Sequence, residues 1–189
     1  MIFRQVENFF PRLDILIPEI KKFKFLDQSE HNKDCEEPAT WPGLRTKNLE
    51  TENVFLYEYI NTLIFFNYKI FDLGAYYIKT FAHVRLKEDE DKDWIHKDRE
   101  DYAGIIYLGD TNLNAGTKLY NEKGEMINDI KYVKNRAIFY SGSYPHKGYG
   151  HFGSSVQDGR LTLNVFITKA KKGENNGTRT GTRTINKKN

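Results

Sequence analysis

One of the five histidines in this 189-residue chain stands two residues before an aspartate, in Trp94-Ile95-His96-Lys97-Asp98. On an extended strand, residues i and i+2 project to one face, so an imidazole and a carboxylate at this spacing can reach a single cation. With a second imidazole they make the two-histidine, one-carboxylate facial set of non-haem Fe(II), which leaves positions open for other ligands. His146, directly after Tyr144-Pro145, and His151 compete for the third place. Thirteen residues separate His146 from Arg160 and only eight separate His151 from it. The chain needs that length to cross from the metal to the next core strand, so His146 is preferred. The His-x-Asp spacing alone carries little weight, because about 0.3 such pairs arise by chance at this composition. Its weight comes from the order of residues C-terminal to it.

Arg160 opens the apolar run Leu161–Ile167, where an unpaired guanidinium is costly to bury. A dicarboxylate offering its far end to the planar fork would satisfy it. Thr162 shares that face at period two and can donate a hydroxyl, and Tyr102 and Tyr107 are further donors in a tyrosine-rich chain. His83 and Arg85 share a face of the preceding run, with His83 read as a satisfied structural histidine. Lys87–Asp93 lacks the glycine and terminal glutamate of a calcium loop and reads as a solvated turn.

The elements that must position these groups fall into two regions. Leu13, Leu16, Ile17 and Ile20 recur at helical spacing, with Pro18 placing the start of a short helix near Ile17. Ser29–Thr46, with Pro38, Pro42 and Gly43, reads as a loop that Trp41 plugs onto the body. Asn53–Asn67 carries Phe55, Tyr59, Leu63 and Phe66 at helical spacing without Gly or Pro. From Gly74 onward, β-branched and aromatic runs alternate with turn clusters: 75–85, 94–98, 102–108, 117–120, 126–133, 137–140 and 160–168. The expected class is mainly β with N-terminal helices (α+β), a sandwich or squashed barrel buttressed on one face. Gly173–Asn189 has no apolar period and reads as a basic, disordered tail.

The order His96-x-Asp98, Tyr107-Leu108, Ala115-Gly116-Thr117, His146 and Arg160 resembles the Fe(II)/2-oxoglutarate-dependent oxygenases, in particular the prolyl-hydroxylase-like branch. The resemblance spans about Gly74 to Thr168, and Ala115 stands where the family pattern has the first glycine of a pair. It implies a double-stranded β-helix (jelly-roll, cupin-like) core over 74–168, a helical buttress over 1–73 and one oxygenase domain over 1–172. It implies Fe(II) on His96, Asp98 and His146, with 2-oxoglutarate as cosubstrate held by Arg160, Thr162, Tyr107 and Tyr102. It also implies consumption of O2, oxidative decarboxylation to succinate and CO2, and hydroxylation of a peptidyl side chain or small molecule. The alternative from another class is a metal-binding β-barrel module without keto-acid turnover.

Charge and composition narrow the partners. The net charge of +3 divides into +6 on residues 169–189 (seven basic residues against Glu174) and −3 on residues 1–168. A net-acidic body argues against nucleic acid as the main partner. Cys35 is the single cysteine, which excludes a disulfide framework and a cysteine-built zinc site. The absence of a long apolar run and of a signal-like start gives the expectation of a cytoplasmic protein. The oxidised substrate and the oligomeric state are left open.

Overall fold

The computed structural model describes residues 3–33, 40–67 and 76–170. Cys35, the expected starts of the β region at Gly74 and Ala75, and the basic tail 173–189 lie outside the described residues. Within them the chain runs β1 (Phe3–Val6), α1 (Leu13–Ile20), α2 (Gln28–Asn32), β2 (Leu44–Arg45), α3 (Leu49–Glu52) and α4 (Val54–Asn67). Next come β3 (Tyr76–Arg85), a 3-10 helix (Lys87–Lys92), β4 (Tyr102–Tyr107), β5 (Asn112–Tyr120), β6 (Met126–Tyr132), β7 (Ala137–Ser141), β8 (His146–Tyr149) and β9 (Arg160–Lys169). The strands form two antiparallel sheets, a larger one in the order β1-β7-β4-β9-β3-β2 and a smaller one in the order β6-β5-β8. None of the described helices is long and apolar enough to cross a membrane.

The alternation of β9 divides the interior. Leu161, Leu163, Val165 and Ile167 join Phe10, Leu13, Ile20, Leu49, Ile60 and Ile64 in the core between the larger sheet and the helices. Each such side chain contributes roughly 1.5–3 kcal/mol on burial. Arg160, Asn164 and Phe166, the alternate residues, face a cavity on the other side of the sheet. Ala103, Tyr107, Ala115, Leu119, Tyr132, Ile138 and Tyr140 form a second core joining strands of the two sheets. The helices therefore cover one face of the larger sheet and leave the other for the site.

Several elements differ from the expectations raised by the sequence. The first helix begins at Leu13, with Pro18 inside it. The helix is so short that proline's missing N–H removes only one internal bond. Residues 29–32, expected in a loop, belong to α2, whose N-cap Asp27 accepts from the Glu30 amide at 2.8 Å. The α4 helix is present, but Phe55 and Phe66 are 86% and 80% exposed, while Leu56, Tyr57, Ile60 and Ile64 are buried. Because α4 is apolar nearly all round, its periodicity does not select a face. Residues 94–98 are not a strand; His96 alone bridges to His146. The glycine-rich stretch after Pro145 contains β8, and β1 pairs with β7 although it lies outside the expected β region.

Candidate active site

His96, Asp98 and His146 converge, with one ligand atom from each lying within 4.8 Å of the others. The Asp98 carboxylate is 4.0 Å from His96 Nε2 and 3.5 Å from His146 Nε2. Backbone bonds hold this arrangement. His96 and His146 exchange N–H to carbonyl bonds at 3.0 and 2.8 Å, and the Asp98 amide donates to the Gly142 carbonyl at 2.9 Å. The His96 Nδ1–H donates to the Trp94 carbonyl at 3.1 Å and the His146 Nδ1–H to the Tyr144 carbonyl at 3.0 Å. A carbonyl can only accept, so each proton stays on Nδ1 and each Nε2 lone pair is left for a cation. Burial, with the neighbouring His96, holds the His146 imidazole down at about 4, so it is neutral at neutral pH. Burial pushes the Asp98 carboxyl up, opposed by His96 and Arg45. Two imidazole nitrogens and one carboxylate suit Fe(II).

These three groups line a cavity of about 1150 Å³ that also includes Thr117, Tyr140, Gly148 and Arg160. Arg160 is 5% exposed. Its Nη2 donates to the Gly116 carbonyl at 2.9 Å, and its Nε is buried without a hydrogen-bond partner. Its guanidinium lies 5.7 and 5.5 Å from the Tyr107 and Tyr132 ring centres. A buried cation with donors left over fits an incoming carboxylate. The donor set of the three ligands and this arginine together therefore suit iron and a dicarboxylic keto acid.

The other expected cosubstrate residues divide. Tyr107 is buried and donates to Thr117 Oγ1 at 2.9 Å. Burial raises its phenol to about 12, against the pull of Arg160, so it is a neutral donor. It acts on the cavity through Thr117. Thr162 donates to Asn164 Oδ1 at 2.9 Å and sits 3.3 Å from the His83 carbonyl, so its hydroxyl is already committed within the sheet. Tyr102 stands apart: the alternation of β4 turns it to the helix-side core, with Lys169 Nζ 5.5 Å from its ring centre.

Behind Arg160 lies an ion network where the sequence suggested a solvated turn. Arg85 pairs with Asp93 at 2.5 Å, and His151 bonds the other oxygen of that carboxylate at 2.8 Å. Burial raises the Asp93 carboxyl, but the His151 hydrogen bond and the Arg85 cation outweigh it and hold it at about 2. Asp89 is 3% exposed and its carboxylate accepts from the Leu86 amide. His151 belongs to this network, and the three-residue convergence is made with His146. His83 is satisfied on both nitrogens, donating from Nε2 to the Pro42 carbonyl at 2.8 Å and meeting the Asn164 amide at 3.2 Å. Sequence reasoning missed Tyr140, whose ring packs 5.0 Å from that of His146, and Arg45, on the cavity wall. Neither carries a local motif.

Comparison by sequence finds no matching family model and no matching curated protein. Comparison by structure finds many matches. A prolyl-4-hydroxylase from Pseudomonas putida aligns with TM-score 0.57 at 13% identity, over 89% of this chain and 93% of that one. An oxidoreductase of the 2OG-Fe(II) oxygenase family from Burkholderia pseudomallei aligns with TM-score 0.62 at 12% identity, over 88% and 84%. HygX from Streptomyces hygroscopicus, solved with nickel and 2-oxoglutarate bound, aligns with TM-score 0.60 at 9% identity, over 88% and 82%. The chain has the fold of these proteins, among which prolyl hydroxylases recur.

Proposed function

We propose that this protein is an Fe(II)- and 2-oxoglutarate-dependent dioxygenase, a hydroxylase acting on a peptidyl side chain or a small molecule. On this reading residues 1–172 are one domain, with a helical buttress over 1–73 and a double-stranded β-helix core over 74–168. The observation that carries it is the pairing, in one cavity, of a His-Asp-His convergence with a buried arginine that has donors to spare. The shared fold supports the same class.

His96 Nε2, the Asp98 carboxylate and His146 Nε2 would hold the iron, and Arg160 the far carboxylate of the keto acid. With O2, the bound iron and keto acid supply the oxidising power for C–H hydroxylation, leaving succinate and CO2. The chain's own part is positional. The Trp94 and Tyr144 carbonyls hold a proton on Nδ1 of each imidazole, so Nε2 is the nitrogen each ring presents to a cation. Arg160, backed by the neutral Tyr107–Thr117 pair, orients a dicarboxylate along the cavity. Tyr140, Ala103 and Ile105 line the cavity beside these groups.

The test is to load the protein anaerobically with Fe(II) and 2-oxoglutarate, read the weak visible charge-transfer band, then admit air and measure succinate. The band and succinate are both expected, and both should vanish in Asp98→Ala. Fe(II) binding with neither band nor succinate would leave a metal-binding β protein without keto-acid turnover, and this reading would fail.

A further inference from the structure

Arg45 is a cation on the cavity wall that the reaction as described does not use. It lies on β2 opposite His83 of β3. Its guanidinium carbon stands 4.3 Å from the Trp41 ring centre, 5.3 Å from that of Phe81 and 5.9 Å from that of Phe166. Its Nε is buried without a hydrogen-bond partner, and among the described residues its side chain has no carboxylate in ion-pair contact. Aromatic rings beside the guanidinium attract the cation but offer its N–H groups no strong acceptor, which leaves donors for an incoming anion. Arg45 lines the same cavity as His96, Asp98 and His146.

We propose that Arg45 anchors a carboxylate of the molecule to be oxidised, so that the substrate is a small anionic molecule with an apolar body. The inference rests on the oxygenase reading. Two further observations support it. The first is position: Arg160 pairs across the sheet with Arg85, whereas Arg45 pairs with His83. Arg160 also reaches across to Gly116 of the smaller sheet, while Arg45 lies on the edge strand of the larger one. The two cations therefore stand in different places and suit two different anions. A cavity of about 1150 Å³ exceeds the usual single-ligand range of roughly 300–1,000 Å³.

The second observation is charge. Among the described residues, nine lysines and arginines line the cavity against four carboxylates, a balance of +5, on a body (1–168) that sums to −3. Two of those carboxylates are committed, Asp93 to Arg85 and Asp98 to the metal set. Positive charge gathered in one concavity of an otherwise acidic surface draws anions in and raises their local concentration. Phe81, Phe166, Trp41 and Ile105 supply the apolar wall beside the anchor.

The experiment uses full-length protein loaded with Ni(II) and 2-oxoglutarate, titrated calorimetrically with benzoate, with benzamide as neutral isostere and with phenyl phosphate. Benzoate is expected to bind wild type and benzamide to bind far more weakly. Arg45→Met, which keeps the apolar stem, should weaken benzoate by roughly thirtyfold or more, with Arg45→Lys in between and 2-oxoglutarate affinity held. Arg160→Ala should do the reverse. Thermal melts check that each variant is folded, and a misfolded Arg45→Met leaves the decision to Arg45→Lys, whose loss of benzoate affinity the proposal requires. Equal binding of benzoate and benzamide, no benzoate binding at millimolar concentration, or unchanged benzoate affinity in both Arg45 variants would overturn the proposal. Tighter binding of phenyl phosphate would overturn the carboxylate assignment in favour of a phosphate. Failure of wild type to bind 2-oxoglutarate would instead strike the oxygenase reading, and the benzoate–benzamide comparison would still decide the role of Arg45.

Discussion

His96 and His146 are coupled to each other twice. Their backbones exchange a reciprocal pair of hydrogen bonds at 2.8 and 3.0 Å, and their rings lie with centroids 4.3 Å apart, tilted by 54°. The bridge sets the separation of the two Nε2 atoms before any cation arrives, so the backbone preorganises the site.

Metal affinity should therefore depend on three side chains and no other histidine. Replacing His96, Asp98 or His146 by Ala is expected to weaken Fe(II) binding by more than the roughly 10–100-fold that loss of an outer-shell partner costs. His83→Ala and His31→Ala should leave it near wild type. Anaerobic calorimetric titration decides this. Loss in His151→Ala with retention in His146→Ala would reassign the third ligand.

Arg160→Ala should raise the 2-oxoglutarate requirement by roughly a hundredfold, because removing one partner of a desolvated charge pair costs about 2–5 kcal/mol. Fe(II) affinity should stay near normal. Arg160→Lys should recover part of the loss, since the charge returns without the planar fork. Keto-acid titrations of wild type and both variants check this, and three equal affinities would sink the cosubstrate assignment.

Gly142 should resist substitution. A Cβ there would collide with the Glu100 carbonyl and approach the Asp98 side chain, and the Gly142 carbonyl receives the Asp98 amide. Gly142→Ala is expected to cost about 1–3 kcal/mol and to weaken metal binding with it. Urea unfolding of apo protein, followed by Fe(II) titration, separates the two effects. Wild-type values in both would contradict the packing described.

Acid should destabilise the fold before carboxylates begin to titrate. Burial holds His83 well below its ordinary value, and burial outweighs the Asp93 hydrogen bond to lower His151 as well. Both therefore take up protons less readily in the folded chain than in the unfolded chain, where they do so near pH 6.5. Their contribution is complete above that pH and is lost as pH falls below it, by at most about 1.4 kcal/mol per pH unit for each group. Asp93, at about 2 when folded, adds a second loss below about pH 4. Urea midpoints of apo protein at about pH 7.5 and about pH 5 should differ, and the difference should shrink in His83→Gln. Equal wild-type midpoints would contradict it.

Local periodicity carried what was legible in the sequence. The run 160–168 reads as a strand with Arg160 and Thr162 on one face, and β9 forms there, with Arg160 toward the cavity and Leu161, Leu163, Val165 and Ile167 in the helix-side core. The spacing of His96 and Asp98 drew attention to the right neighbourhood by an argument the structure replaces. Residues 94–98 are not a strand, and backbone bonds to His146 and Gly142 bring the two side chains together. Long-range pairing left no local trace: β1 acquires its partner from residues 137–140, and β8 is short and glycine-containing. Asp93 looked solvated because it ends a charge run, and only the fold supplies Arg85 and His151 to bury it. Ala115, where a glycine was expected, is accommodated by Gly150 opposite, whose own Cβ would strike it.

The bridge between His96 and His146 joins positions 50 residues apart in the chain, and β3 pairs with β9 from Tyr76↔Lys169 to Arg85↔Arg160. A topology dominated by such distant pairings has a high contact order and folds slowly, on a scale of milliseconds to seconds. The cation site cannot exist until residues 96–98 have closed on residues 142–146, a long-range contact that local structure does not supply. Metal capture during refolding should therefore report the closure of this one bridge, separately from the gain of β structure elsewhere.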